Sequence, residues 1–249
     1  RPEHRPCGDI DIWLFGQQAA ADKALGSWFK VHGSRSEIDN SHHHHTVFYW
    51  RDFMVENHYD FINVHARRSN VRLERIFKRL GDDDSHFVEL YGERVYLPSA
   101  NLHGLFLIRH AVAHFAAAEI TLRQVLDWAF FVEKHGKEID WEWLERLLEK
   151  YHMKDFYNSV NAICVKDLCF DVKMFPQVQF DPTLKDKVLK DILEPEFSSF
   201  APKGMVKRLS YKYRRWQGNA WKQKMCYGES RFEMFWRGLW AKLLRPKTI

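Results

Sequence analysis

The run Gly8-Asp9-Ile10-Asp11-Ile12-Trp13-Leu14-Phe15 constrains this chain more than any other stretch. Apolar residues alternate with two aspartates and then continue unbroken, the period of a strand buried on one side at its start. Successive strand side chains point to opposite faces, so Asp9 and Asp11 share one face while Ile10 and Ile12 are expected in the core. At this spacing the two aspartate Cα atoms stand roughly 6.5–7 Å apart, within reach of one shared cation. Adjacent carboxylates repel, and a positive charge between them relieves the repulsion. Mg²⁺ suits such a pair, because it takes a few carboxylates and fills its octahedron with phosphate and water oxygens. A strand end whose aspartates are solvated, or paired with Arg5, is the plainer reading of the same residues.

The next hundred residues surround that strand with short elements. Residues 17–32 read as a helix, with Ala19, Ala20, Ala21, Ala24 and Leu25 as good formers and Gly33 as the stop. After a Ser- and Asn-containing loop, residues 46–50 form a strand, Arg51-Asp52 a turn, and residues 53–64 a long second strand. On that second strand Met54, Glu56, His58 and Asp60 share one face, which makes Glu56 or Asp60 a further strand-borne carboxylate. A basic helix over 67–80 and a second hairpin around Tyr91-Gly92-Glu93 complete the region.

At Pro98-Ser99 the pattern becomes helical, with Ser99 or Asn101 as the first cap. Helices are expected over 102–118, 121–134, 140–151, 154–168 and 182–193, joined by short loops as in a bundle. The expected fold is therefore α+β: a small mixed sheet with helices on one side over 1–98, then a helical bundle over 99–200. Basic, aromatic helices over 201–249 follow.

Bulk properties narrow the class. In 249 residues, a 45% hydrophobic content with 10 Trp is ample for a core. No apolar run reaches the length of a membrane span. Residues 1–5 have no apolar segment behind them and do not read as a signal peptide. The cysteines at 7, 164, 169 and 226 form no Cys-x-x-Cys pair, so reduced thiols and a cytoplasmic location are expected, with Cys164 and Cys169 on one helix.

The net charge of +5 is unevenly spread: residues 203–249 hold 13 Lys and Arg against 2 Glu, leaving 25 basic and 31 acidic residues for the rest. In that tail Phe232, Phe235, Trp236, Leu239, Trp240 and Leu243 recur at helical spacing, with Arg231, Arg237, Lys242 and Arg245 elsewhere on the helix. Such a stripe packs on a bundle, lies peripherally on an anionic membrane surface, or, with Lys207, Arg208, Lys212, Arg214 and Arg215 upstream, grips a polyanion. His42 to His45 read either as a loop leading into the hairpin, with His45 near the active site, or as imidazole ligands for Zn²⁺ or Ni²⁺. His110 and His114, one helical turn apart, have zinc-chelating spacing, but Ala111 stands where a metalloprotease needs Glu. Arg123 and Asp127 are also one turn apart and suited to pairing with each other.

Three motifs in order, Arg5-Pro6-Cys7-Gly8-Asp9-Ile10-Asp11-Ile12, Glu56-Asn57-His58-Tyr59 and His110-Ala111-Val112-Ala113-His114, resemble one known group. It is the uncharacterised bacterial nucleotidyltransferase family of the polymerase-β-like superfamily, and the likeness runs over about residues 1–155. The resemblance implies two-metal nucleotidyl transfer from a nucleoside triphosphate to a hydroxyl acceptor, with Mg²⁺ or Mn²⁺ as cofactor. It makes Asp9, Asp11 and Glu56 the catalytic, metal-holding residues, with Asp60 as the alternative third carboxylate. Arg5, His58, His110, His114, Arg123 and Asp127 would contact the nucleotide.

The superfamily sets a Gly-Ser or Gly-Gly turn about ten residues ahead of its Asp-x-Asp strand, where backbone amides hold the triphosphate. This chain begins at Arg1, and Gly33-Ser34 follows the aspartates, so a missing N-terminal segment is expected. A non-catalytic binding module of the same fold, and a metal-dependent nucleotide-sugar glycosyltransferase, are the alternative functions.

Overall fold

A computed structural model describes residues 8–32, 36–176, 179–197 and 202–244. It divides into a sheet unit, residues 1–97 with 232–249, and a helical unit, residues 98–231. The sequence-predicted tail is thus shared out, residues 201–231 with the helical unit and the remainder with the sheet unit.

The sheet unit opens with β1 (Asp9–Trp13), followed by α1 (Gln18–Val31) and the hairpin β2 (His45–Trp50) and β3 (Phe53–His58). β3 lies between the other two, parallel to β1 and antiparallel to β2, giving the mixed sheet that the sequence predicts. The face toward α1 holds the apolar cluster: Phe29 of α1 packs with Phe48 and Val55, flanked by Ile12, Leu25 and Ile38. Ile10 does not join them. It is 42% exposed, because β1 is an edge strand and the cluster gathers around Ile12 farther along it.

The second long strand is shorter than its alternation predicts. β3 stops at His58, where the N–H groups of Tyr59 and Asp60 both donate back to the His44 carbonyl, at 3.1 and 3.0 Å. The next donors, Phe61 and Ile62 N–H, bond the Glu74 carboxylate of α2 (Arg68–Gly81), each at 3.0 Å. With its donors turned to partners outside the sheet, this segment cannot continue the ladder. Phe61 stacks between Trp13 (4.8 Å) and Phe77 (5.5 Å). Gly81 lies against it so closely that a Cβ there would come within 2.7 Å of the ring.

The second hairpin pairs β4 (Phe87–Leu90) with β5 (Glu93–Tyr96). Its two-residue turn places both Tyr91 (φ 54°) and Gly92 (φ 84°) in the left-handed region, the geometry that matches strand twist in a tight hairpin.

In the helical unit α3 (Ala100–Ala117) starts at Ser99, whose side chain accepts from Leu102 N–H. Asn101 instead accepts from Asp140 N–H at 2.8 Å, bracing α3 against the start of α5 (Trp141–Lys150). Thr121 and Gln124 form a capping box on α4 (Leu122–His135). α6 (Lys154–Lys166) runs through the core, where Asn161 accepts from the Trp128 indole at 2.7 Å. Helix α6 ends before Cys169. The N–H groups of Asp167 and Leu168 both return to the Ile163 carbonyl and Cys169 turns left-handed (φ 61°), so Cys164 is buried while Cys169 is exposed and off the helix.

Asp181 caps α7 (Pro182–Leu193), and α8 (Met205–Gly218) and α9 (Ala220–Cys226) follow. Part of the basic tail is core: Lys222 of α9 is 2% exposed, donates to the Ala118 carbonyl at 2.9 Å and pairs with Asp191 at 2.5 Å. The last helix, α10 (Arg231–Leu244), joins the sheet unit, where Arg68 meets Glu233 at 3.0 Å. Its Phe232, Trp236 and Trp240 are exposed, so these three do not pack as a bundle stripe. The side chains of Phe235, Leu239 and Leu243 lie outside the described residues, as does Arg245. Among the described residues no helix is long and apolar enough to cross a membrane.

Candidate functional site

Strand register assembles the polar face opposite α1. Asp9 stands beside Met54, Asp11 beside Glu56 and Trp13 beside His58, so the alternation that sends Ile12 to the core sends both aspartates and Glu56 the other way. On the far side of β3, His45 stands beside His58 and Val47 beside Glu56. Three carboxylates (Asp9, Asp11 and Glu56) and two imidazoles (His45 and His58) therefore line adjacent rungs of a three-strand surface.

His58 ties this face together. Its Nε2–H donates to Asp11 Oδ1 at 2.8 Å with Glu56 Oε2 at 3.5 Å, and its Nδ1–H donates to the Asp60 carbonyl at 3.0 Å. Acceptors at both nitrogens require both protons. Burial opposes that charge, yet the hydrogen bonds to Asp11, Glu56 and Asp60 raise its pKa to about 9. The same hydrogen bond from His58 holds Glu56 below the ordinary carboxylate range, despite its burial. Asp9 shifts upward, first by burial and then by repulsion from Asp11 and Glu56. Asp11 and Glu56 with a carboxylate oxygen, and His58 with a ring nitrogen, each offer a ligand atom within 4.8 Å of the others, a set able to hold a metal ion.

Asp60, the alternative third carboxylate, lies beyond the end of β3 and off the shared face. Its Oδ1 pairs with Lys78 Nζ at 2.5 Å, and only its backbone carbonyl reaches His58. Arg5 and Gly33-Ser34 lie outside the described residues. His110 and His114 are exposed neighbours on α3, ring centroids 4.5 Å apart, and Arg123 and Asp127 lie one turn apart on α4. All four belong to the helical unit, whereas Asp9, Asp11, Glu56 and His58 belong to the sheet unit.

Sequence reasoning set His45 at the end of a loop near the active site but singled out neither His44 nor the strand pairing that holds His45 there. His45 is buried against Glu56 and His58, with Glu56 Oε2 at 3.5 Å. The signal was present: four histidines directly before a strand put the last of them on its first rung, and a hairpin pairs that rung with the end of the next strand.

Residues 1–167 match a family described as an uncharacterised nucleotidyltransferase, the span that carries the Asp-x-Asp strand, its Glu56 partner and the first helices of the helical unit. No curated protein and no solved structure matches the chain. A match over so much of the sequence, covering the whole polar face, means that the chain belongs to the uncharacterised nucleotidyltransferase family.

Proposed function

We propose that this nucleotidyltransferase is metal-dependent and moves a nucleotidyl group from a nucleoside triphosphate to a hydroxyl acceptor. The observation supporting this is the register of β1 against β3, which sets Asp11 beside Glu56 with Asp9 two residues back on the same face. Asp9 shifts upward first through burial and then through Asp11 and Glu56, and the repulsive part is what carboxylates short of counter-charge display. Hard carboxylate oxygens fit Mg²⁺ or Mn²⁺. When bound, such an ion lowers the pKa of the acceptor hydroxyl and offsets the charge of the departing pyrophosphate.

The chain's own residues bind and orient. Asp9, Asp11 and Glu56 supply the oxygens, and His58 fixes the rotamer of Asp11 through Nε2 while the Asp60 carbonyl fixes the imidazole. In the transfer, a bond forms between the acceptor oxygen and the α-phosphorus as the bond to the pyrophosphate oxygen breaks, and the hydroxyl proton is released.

The test uses each α-labelled nucleoside triphosphate with Mg²⁺ or Mn²⁺ and with small-molecule, RNA and protein acceptor fractions. The reading expects label transferred to one fraction by the wild type and not by Asp11→Asn. Tight binding of a triphosphate without transfer to any fraction would favour the binding module. Transfer that survives Asp11→Asn in full would remove the proposal.

A further inference from the structure

The histidines before β2 form a second constellation beside the carboxylates. His44 and His45 meet edge to face with ring centroids 4.4 Å apart, and His58 lies 5.0 Å from His45 and 5.5 Å from His44. One nitrogen from each of the three rings falls within 4.8 Å of the other two. The backbone holds this arrangement in place: His45 pairs with His58 across the hairpin, and the His44 carbonyl takes the Tyr59 and Asp60 N–H groups. Rings fixed by strand pairing are preorganised in a way that a loop of histidines is not.

Neither ring nitrogen of His45 makes a hydrogen bond, although the residue is 6% exposed. His44 Nδ1 is also buried without a hydrogen bond. Leaving a buried polar atom unsatisfied costs about 1–3 kcal/mol, and here three such atoms lie on two rings in edge-to-face contact. His58, whose two nitrogens carry protons toward Asp11 and Asp60, must release one of them on binding a metal ion, because a ligand nitrogen is unprotonated.

We infer that His44, His45 and His58 form a site for a transition-metal ion of the Zn²⁺ class, with Glu56 as the adjacent carboxylate. Three imidazoles and a carboxylate are a donor set that Zn²⁺ accepts readily, whereas Mg²⁺ prefers oxygen alone. The inference goes beyond the nucleotidyltransferase reading and does not depend on it. Because His58 and Glu56 face both constellations, occupancy here withdraws them from the Asp9–Asp11 side, and the two kinds of ion compete.

The experiment titrates chelator-stripped protein with Zn²⁺ alone, using a chromophoric chelator as competitor, and repeats this for His44→Gln, His45→Gln and Asp9→Asn. One Zn²⁺ per chain is expected, with affinity falling at least ~100-fold in both histidine variants, since loss of a mere outer-shell partner already costs about 10–100-fold. Asp9→Asn should bind Zn²⁺ as the wild type does. Should His45→Gln fail to fold, His44→Gln, at a half-buried position, carries the test. No Zn²⁺ binding by the wild type, binding unchanged in His44→Gln, or binding lost in Asp9→Asn would each overturn the inference. Mg²⁺-dependent transfer measured on the same preparation bears only on the nucleotidyltransferase reading, so the two failures are distinguishable.

Discussion

The two faces of the three-stranded sheet carry similar polar residues and treat them differently. On the α1 face, Asp22 accepts from Asn57 Nδ2 at 2.8 Å, from Thr46 Oγ1 at 3.0 Å and from Gln18 Nε2. There one carboxylate serves three neutral donors beside Phe29, Phe48 and Val55. On the other face Asp9, Asp11 and Glu56 gather around the single imidazolium of His58. A lone carboxylate encircled by donors holds a fold together. Several carboxylates facing one another hold a place for cations, because their repulsion makes a positive ligand stabilising.

Substitutions on the two faces should therefore fail in different assays. The largest effect is expected for Asp11→Asn: transfer should drop by roughly 10³-fold, about 4 kcal/mol of transition-state stabilisation, well beyond the folding stability lost with the His58 hydrogen bond. Equal losses in stability and turnover would mean that the two faces are not functionally distinct. Asp22→Ala should do the reverse. Taking the acceptor from Asn57 and Thr46 leaves buried donors unsatisfied and should lower unfolding free energy by roughly 2–3 kcal/mol, read by urea denaturation.

A smaller effect should appear in the pH dependence of the chelator-treated protein. The folded-state pKa of His58 is raised from 6.5 to about 9. Its charge therefore contributes stability that is fully present below pH 6.5 and lost as pH rises through about 9. Denaturation midpoints of the wild type should fall toward those of His58→Gln over that window, and parallel curves would contradict the assignment. The smallest effect is expected for Asp60→Asn. Its ion pair with the half-exposed Lys78 is worth about 0–1 kcal/mol, and transfer should change less than about twofold, whereas Glu56→Gln should behave like Asp11→Asn.

Much of the site was legible because strand period is a local property. Asp9, Asp11 and Glu56 share a face wherever strands of that pattern pair in parallel, and the motif order pointed to the family. What escaped sequence reasoning depended on partners distant in the chain. The end of β3 is set by the His44 carbonyl and the Glu74 carboxylate, which capture the next four N–H groups, and no pattern within residues 59–64 announces them. Asp60 left the site for that reason. Lys222 reads as one more charge in a basic tail until α7 supplies Asp191 and the end of α3 supplies the Ala118 carbonyl. His45 was legible as a neighbour of the site but not as part of the sheet: a run of four histidines resembles a solvated loop, and only the His45–His58 pairing brings its last member into the hairpin.

The most direct measurement is calorimetric titration of Mn²⁺ with a non-hydrolysable nucleoside triphosphate into wild type, Asp11→Asn and Glu56→Gln at neutral pH. The account predicts that the wild type binds the metal–nucleotide pair and that each substitution weakens binding by at least about tenfold, 1.4 kcal/mol or more. Equal binding by all three proteins would show that the carboxylate face of β1 and β3 is not where the ions sit.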